Sequence, residues 1–158
     1  SWITLENLSF PYCISINSSY IYEQSTDERI NQNDAAITLA HELGHYLGLR
    51  HVFSEGGTTS MCTDTDYCKD TPSYNRSEYE QWLNNLDKQN KYQLKDLAKR
   101  YSCEKGEYEA HNIMDYAYCF YNEITLEQRK RIRHILNYSP LIPGPKESRI
   151  DTRGVQGR

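Results

Sequence analysis

The sequence lacks the features that mark several classes of protein. Its 158 residues include no apolar run approaching the roughly 18 residues of a membrane-spanning helix. The net charge of -4 provides no basic face for nucleic acid, and no internal repeat is apparent. Hydrophobic residues make up only 37%, although 14 tyrosines bury large rings and partly compensate. The composition therefore predicts one domain with a modest core, no nucleic-acid partner and no transmembrane segment in this chain.

Cysteine pairs of the form C-x-x-C are also missing, so a second, structural zinc site is not indicated. Five cysteines in a chain of this size favour disulfides and an oxidising compartment; the alternative is a cytosolic protein with scattered free thiols. Residues 1–20 lack a signal-peptide pattern, and Ser1 is not an initiator methionine. We therefore expect that an upstream segment has been removed and that the protein is extracytoplasmic: secreted, periplasmic or anchored at the surface through that segment.

The most informative stretch reads HELGHYLGLRH and begins at His41. His41 and His45 lie four residues apart and share one helical face, so both imidazoles can reach one metal ion. Glu42 is rotated by about 100° from His41 around the helix axis, so its carboxylate can lie beside the metal and accept a proton from a bound water. Gly48 tolerates the positive φ of a helix end, which lets the chain return with His51 as a third ligand. Three imidazoles and one open position are typical of a catalytic zinc site, whereas structural sites are usually closed by four protein ligands.

This stretch resembles the zinc motif HExxHxxGxxH of the metzincin metallopeptidases. About sixty residues downstream, Asn112-Ile113-Met114-Asp115-Tyr116 resembles the methionine turn of that group, with Met114 as the hydrophobic floor beneath the metal. The match is closest to the pappalysin-like members, which are similar in three further places: His51-Val52-Phe53, Asp70-Thr71-Pro72 and Cys119 shortly after the turn. The resemblance covers roughly residues 12 to 136.

The resemblance implies a zinc-dependent endopeptidase that acts on a protein or peptide substrate. Zinc would polarise the scissile carbonyl and acidify a water, and Glu42 would accept that water's proton and deliver it to the leaving amine. Tyr116 matches a tyrosine that, in several metzincins, swings in to stabilise the transition state; an ordinary buried tyrosine is the alternative. Met114 and Gly48 would support the site without binding the metal.

The resemblance also implies an α+β fold of the metzincin-like zincin kind: a small sheet, the active-site helix, the methionine turn and a C-terminal helix. The family's sheet has five strands, but residues 1–30 have room for only about two, one of them the alternating segment 12–22. We therefore expect the N-terminal part of the sheet to be missing, either because the chain is a fragment or because another polypeptide completes it. The predicted catalytic domain is residues 1–138, followed by a flexible tail over 139–158.

Apolar periodicity predicts three helical regions. The active-site helix should span about 34–48 and pack through a stripe of small and apolar residues: Ala35, Ala36, Leu39, Ala40, Leu43 and Leu47. Residues 76–101 are charged with a helical period and predict two helices broken around 87–90. Thr125-x-x-Gln128 is a capping-box pattern that opens a helix through about Leu136, with inward-facing residues Leu126, Ile132, Ile135 and Leu136.

An acidic, irregular segment over residues 54–75 contains Asp64, Asp66 and Asp70 beside hydroxyl-bearing neighbours. A solvated loop is the simplest interpretation, because the spacing does not match an EF-hand. The pappalysin-like group binds calcium at this position, which implies Asp66 and Thr71 as side-chain ligands helped by nearby backbone carbonyls. Calcium is therefore a second candidate metal besides zinc.

The resemblance further suggests two disulfides, Cys62–Cys103 and Cys68–Cys119. Sequence alone does not fix the connectivity, and a Cys103–Cys119 bridge remains open. Cys13 is then left over, either buried in its strand or missing a partner upstream.

Two other functions compete with the endopeptidase. A non-catalytic binding module, or an inactive fragment of such a peptidase, could keep the zinc as a structural staple. Glu42 and Tyr116 argue against that alternative, because a structural site needs no general base. Another zinc hydrolase, such as an amidase acting on a cell-wall peptide, fits the elongated motif and the methionine turn less well.

Overall fold

The structure is a computed structural model that describes residues 13–16, 35–54, 66–86, 89–102, 104–116 and 118–146. Within these ranges the chain forms helices and one short β-hairpin. The described elements are, in chain order, α1 (Ala35–Tyr46), α2 (Arg76–Asn85), α3 (Leu94–Leu97), β1 (Lys99–Ser102), β2 (Gly106–Glu109) and α4 (Leu126–Tyr138). The two described strands form an antiparallel sheet. This combination confirms a partial α+β domain. No helix in these ranges is long and apolar enough to cross a membrane.

The first helix ends in a glycine turn that reverses the chain. α1 ends at Tyr46, two residues before the predicted end. Gly48 has a φ of +85°, and the Leu49 N–H donates to the Gly44 C=O at 2.9 Å. This left-handed conformation favours glycine, and a Cβ at Gly48 would also lie 2.6 Å from Ile135 Cγ1 of α4. Gly48 therefore permits both the reversal and the close approach of α4.

The buried face of α1 is the one that carries His41 and Gly44. The apolar stripe predicted for this helix does not pack as expected, because Leu39 is 47% exposed and Leu43 is 42% exposed. The helix instead contacts the methionine segment through its smallest residue: a Cβ at Gly44 would lie only 2.4 Å from Met114 Sδ. The helical period was therefore correct, but the two leucines Leu39 and Leu43 stay exposed in the described part of the chain, while Ala35, Ala40 and Leu47 are partly buried.

The region predicted as two helices contains one helix, one helical turn and a hairpin. α2 begins at its N-cap Asn75, whose side chain accepts from the Glu78 N–H. The predicted second helix is wrong: after the single turn of α3, β1 pairs with β2 in antiparallel register. β1 buries alternate residues, Arg100 and Ser102. Strands are recognised in sequence by alternating apolar residues, and β1 buries an arginine and a serine instead. The helical period of the charged segment was therefore misleading.

The C-terminal helix begins at the predicted capping box. Thr125 accepts from the Gln128 N–H, and the Gln128 side chain accepts from the Thr125 N–H. Gln128 is buried and also exchanges two side-chain hydrogen bonds with Asn112, at 2.8 and 3.0 Å. The capping box therefore also ties α4 to the methionine segment.

Two small clusters of buried residues form the described core. The first contains Leu49, Val52 and Met114, with Ile113 and Ile132 packed against it. The second contains Phe53, Tyr74 and Tyr79, with Leu83 and Tyr108 packed against it. Because Val52 and Phe53 are neighbours, the segment after α1 joins the two clusters.

Some predictions on helix faces and termini need correction. Leu126 and Leu136, predicted to face inward, are 54% and 40% exposed, because α4 packs through Gln128 together with Ile132, which was predicted correctly. Residues 13–16 have no regular secondary structure, and the rest of the strand predicted over 12–22 lies outside the described residues. Beyond α4, Ile142 is buried, and residues 147–158 are not among those described.

Candidate metal centre

Three histidines from α1 and the turn after it converge on one point. The Nε2 atom of His41 lies 3.1 Å from that of His45 and 3.2 Å from that of His51. The Nε2 atoms of His45 and His51 are 3.0 Å apart. Within the described ranges, these histidines are the one group of three metal-binding side chains. The structure therefore brings together the residues that the motif predicts as ligands.

Backbone carbonyls orient two of these rings. His41 Nδ1 lies 2.7 Å from the Ile113 C=O, and His45 Nδ1 lies 3.0 Å from the Leu49 C=O. A carbonyl oxygen can only accept, so both Nδ1 atoms carry the proton and both Nε2 atoms present a lone pair. Two lone pairs 3.1 Å apart repel each other unless a cation lies between them. The arrangement could therefore hold a metal ion.

The spacing of the nitrogens fits zinc. Tetrahedral zinc binds imidazole nitrogen at about 2.0–2.1 Å, which places ligand nitrogens about 3.3–3.4 Å apart. The observed separations of 3.0–3.2 Å are within a few tenths of an ångström of that value. Burial lowers the pKa of His41; the Ile113 carbonyl opposes this shift and the neighbouring imidazoles add to it. A neutral His41 is the form that can bind a metal, so the three histidines could hold one zinc ion.

Met114 lies beneath the helix that carries the first two histidines. It is fully buried, and its sulfur lies against Gly44. The chain turns here, because the Asp115 N–H donates to the Asn112 C=O at 3.1 Å and the Met114 N–H donates to the Asn112 side chain at 3.0 Å. The Val52 N–H donates to the Met114 C=O at 3.3 Å. The turn is therefore bonded to the segment that carries His51.

The two predicted catalytic side chains are close to the histidines. Glu42 follows His41 on α1 and is half-buried, and its carboxylate acts to raise the His41 pKa. The Tyr116 ring centroid lies 4.6 Å from that of His51 and 5.2 Å from that of His41. Tyr116 is 39% exposed. Its ring therefore covers the histidines while part of it stays in contact with solvent.

Sequence reasoning named Phe53 and Asp115 as motif residues but did not predict which side chains surround Tyr116. The Phe53 ring stacks on it at 5.4 Å between centroids, and the Arg76 guanidinium carbon lies 4.7 Å from its centroid, within cation–π range. Asp115 and Arg100 form a buried ion pair beside it. Asp115 was the one sequence signal for such a pair, because a carboxylate next to a buried methionine needs a cationic partner. Nothing in the sequence identified Arg100 as that partner.

The candidate calcium residues also lie together. Asp66 and Thr71 are both buried, and the Thr71 hydroxyl donates to Asp66 Oδ2 at 2.7 Å. Asp66 Oδ1 accepts from the Cys68 N–H at 2.9 Å. Both carboxylate oxygens are therefore engaged within the loop. No group of three metal-binding side chains occurs in the described part of this loop.

Cys68 and Cys119 are free thiols, so the disulfide predicted between them is not formed. Cys68 Sγ lies 3.7 Å from the Asp66 C=O, and Cys119 Sγ lies 3.4 Å from the Asn112 C=O. Each thiol therefore donates within its own loop instead of reaching the other sulfur. Burial raises the pKa of Cys68 to about 11 and that of Cys119 to about 12.

Of the remaining three cysteines, the structure describes only Cys13. Cys13 is a free and exposed thiol, so it is not buried in a strand as one alternative predicted. Cys62 and Cys103 lie outside the described residues, and the bridge predicted between them stays a prediction.

Comparison with known proteins identifies the family. Residues 11–137 match the family model of the M43 peptidases, described as pregnancy-associated plasma protein-A. The chain is 37% identical over 108 residues to extracellular metalloproteases of Arthroderma benhamiae and Trichophyton verrucosum, which covers 66% of this chain and 32% of each relative. An extracellular metalloprotease of Arthroderma otae has the same identity, with 33% of its length covered. No solved structure matches the chain significantly.

These matches agree with the motifs from which the resemblance was inferred. The matched range includes both the histidine motif and the methionine segment. The chain spans about a third of the length of the curated relatives it matches. Because the family match covers most of the chain, the protein belongs to the pappalysin-like M43 family of metallopeptidases.

Proposed function

We propose that this chain carries the catalytic site of a zinc-dependent endopeptidase. The observation that supports this most directly is the convergence of three imidazole nitrogens 3.0–3.2 Å apart. His41, His45 and His51 would hold the zinc through these Nε2 atoms. When bound, zinc supplies a Lewis acid that polarises the scissile carbonyl and acidifies a water.

Glu42 would act as the general base and then as the general acid. It would accept the proton of the attacking water and return that proton to the leaving amine. Its position supports this role, because it follows His41 on the same helix but points about 100° away from it. It is also half-buried beside the histidine cluster.

Tyr116 would stabilise the transition state. Its phenol would donate a hydrogen bond to the negative charge that develops on the substrate oxygen. Support comes from its ring, which stacks on His41 at 5.2 Å between centroids and lies tilted against His51 at 4.6 Å. Its partial exposure leaves the ring open to the side from which a substrate would approach.

The location and the N-terminal partner are also proposals. The relatives are named extracellular metalloproteases, and we propose that this chain likewise acts outside the cytoplasm on protein or peptide substrates. We further propose that a polypeptide preceding this region completes the sheet. The exposure of Leu39 and Leu43 supports this, because an apolar helix face of this kind is normally covered.

Calcium binding at Asp66 and Thr71 stays a hypothesis drawn from the family resemblance. The proximity of their buried oxygen atoms supports it, but binding would have to replace the hydrogen bond between them. Isothermal titration of the zinc-loaded chain with calcium tests it directly. An Asp66→Asn variant should then lose the binding signal.

Digestion of a broad peptide library, read by mass spectrometry, tests the proposed activity. We expect cleavage by the zinc-loaded chain, loss of cleavage with a chelator, and a fall of about 10²- to 10⁴-fold in Glu42→Gln. Glu104→Gln, a matched change at an exposed position on the hairpin, should leave the rate unchanged.

Metal analysis of the same samples separates the alternatives. One zinc per chain together with cleavage supports the endopeptidase. One zinc per chain without cleavage would support a zinc-stapled binding module or an inactive fragment. Absence of bound zinc would contradict the proposal.

A further inference from the structure

A buried pair of opposite charges lies directly beside Tyr116. Arg100 Nε is 3.7 Å from Asp115 Oδ2, and the two side chains are 0% and 1% exposed. Charges buried this deeply are destabilising unless they are paired and hydrogen-bonded. Burial raises the pKa of the Asp115 carboxyl, and the Arg100 guanidinium opposes that shift. The hydrogen bonds of Arg100 and Asp115 show which neighbouring groups the ion pair holds in place.

Asp115 holds the N–H of the next residue. Its Oδ1 atom accepts from the Tyr116 N–H at 2.7 Å and from the Tyr74 hydroxyl at 2.5 Å. Tyr74 is itself buried in the second core cluster. The carboxylate is therefore anchored to the core on one side and to the backbone of Tyr116 on the other.

Arg100 holds the C=O of the same residue. Its Nη2 atom donates to the Tyr116 C=O at 3.2 Å and to the Tyr118 C=O at 2.9 Å. Its Nη1 atom donates to the Leu97 and Lys99 carbonyls, which anchors the guanidinium to the start of the hairpin. Both polar groups of the Tyr116 backbone are therefore bonded to this one ion pair.

We propose that Arg100 and Asp115 are positioning residues that fix the backbone of Tyr116 and thereby hold its ring over the zinc ligands. The direction of a side chain follows from its backbone once the rotamer is set. Fixing the N–H and the C=O of Tyr116 therefore limits where its phenol can lie. The proposal rests on the proposed catalytic role of Tyr116, but the placement of the ring can be tested without catalysis.

The test removes one bond of the network and leaves the packing in place. Tyr74→Phe deletes the hydroxyl that donates to Asp115 and keeps the buried ring. Arg100→Lys keeps the charge but loses the planar fork that reaches two carbonyls at once. Tyr108→Phe is the matched control, because its hydroxyl donates to the Pro72 C=O at 3.1 Å and makes no hydrogen bond to Asp115.

The first readout is the position of the Tyr116 ring in the metal-free and zinc-loaded forms. Fluorotyrosine placed at position 116 should give one sharp ¹⁹F resonance in the otherwise unchanged chain. We expect this resonance to broaden or split in Tyr74→Phe and in Arg100→Lys, and to stay unchanged in Tyr108→Phe. An unchanged resonance in Tyr74→Phe would overturn the proposal, whether or not the chain cleaves peptides.

The second readout is steady-state cleavage. Tyr74→Phe should lower kcat by about three- to tenfold with little change in KM, because the phenol acts in the transition state. In a Tyr116→Phe background the same change should cost nothing further, since the residue through which it acts has lost its hydroxyl. An equal loss in both backgrounds would show that the pair supports only the fold.

The two proposals can fail separately. If Glu42→Gln cleaves as well as the unaltered chain, the proposed function is wrong, while the ¹⁹F resonance still decides the positioning role. If Arg100→Lys does not fold, Tyr74→Phe alone decides it.

Discussion

The molecule contains two neighbouring polar clusters that differ in how their atoms are satisfied. In the histidine cluster, three Nε2 atoms face one another at 3.0–3.2 Å, and for His41 and His45 these atoms carry lone pairs. In the Arg100–Asp115 pair, opposite charges face each other and bind carbonyls, an N–H and a hydroxyl. The first cluster could hold a cation between its nitrogens, whereas the second balances its own charges, with Arg100 Nε left without a hydrogen-bond partner.

The difference is the one expected between a site that could bind a ligand and a pair that holds the fold in place. Native structures normally give buried polar groups their hydrogen-bond partners, so converging acceptors without a donor indicate a ligand. An ion pair that balances its own charges and bonds to the backbone around it indicates that the charges hold other groups in place. In this protein Tyr116 belongs to both, since its ring lies on the histidines and its backbone on the ion pair.

Loss of a histidine ligand should have the largest effect. His45→Ala leaves two imidazoles, so we expect less than one zinc per chain after dialysis and at least about a 10³-fold loss of cleavage. Emission spectrometry and kcat/KM measure both quantities. His134→Ala, at an exposed histidine on α4, should change neither. Full zinc retention in His45→Ala would break the comparison, because the cluster would then not be the binding site.

Breaking the ion pair should affect stability more than metal content. Arg100→Met leaves Asp115 buried without its partner, and we expect the free energy of unfolding to fall by about 3–5 kcal/mol. Urea denaturation measures this, and Arg133→Met at an exposed site should change it by less than about 0.5 kcal/mol. The folded fraction should still bind one zinc. Loss of zinc from folded Arg100→Met would contradict the separation of the two clusters.

Two glycines can test how far the close packing of α4 against the turn after α1 stabilises the fold. This turn leads the chain to His51. Gly48 and Gly106 have similar positive φ values, +85° and +74°, but only Gly48 has a close neighbour, Ile135. Both Ala variants should lose about 1–2 kcal/mol from backbone strain, and Gly48→Ala a further 1–3 kcal/mol, roughly, from overpacking. Thermal denaturation measures the difference. Equal losses would mean that α4 moves aside freely.

The smallest effect concerns the free thiols. The raised pKa values of Cys68 (about 11) and Cys119 (about 12) keep both protonated at pH 8, and both side chains are buried. Iodoacetamide should therefore modify Cys13 but neither of these in the folded chain, because the thiolate is the nucleophile. Unfolding in urea without reductant should expose both to alkylation, read by mass spectrometry. If labelling required reductant, the two would be in disulfides after all.

The local features of the fold and site could be predicted from the sequence. The three histidines lie within eleven residues, and the capping box of α4 within four, so spacing alone defines them. The surroundings of Tyr116 could not be predicted, because Arg76 and Arg100 reach it only through tertiary contacts. Arginine in a charged segment suggests an exposed helix, and its burial beside Asp115 is visible only in three dimensions.

The bond from His41 Nδ1 to the Ile113 carbonyl spans 72 residues of chain, whereas that from His45 to Leu49 spans four. Local folding of the helix can thus bring the first two histidines onto one face. The His41 ring becomes oriented only when the turn that contains Ile113 has packed against the helix. By thermodynamic linkage, any metal that prefers the oriented ring stabilises the docked turn by the same free energy. Metal affinity would then report on the completion of folding, and a nascent chain that ends before Ile113 would hold its metal weakly.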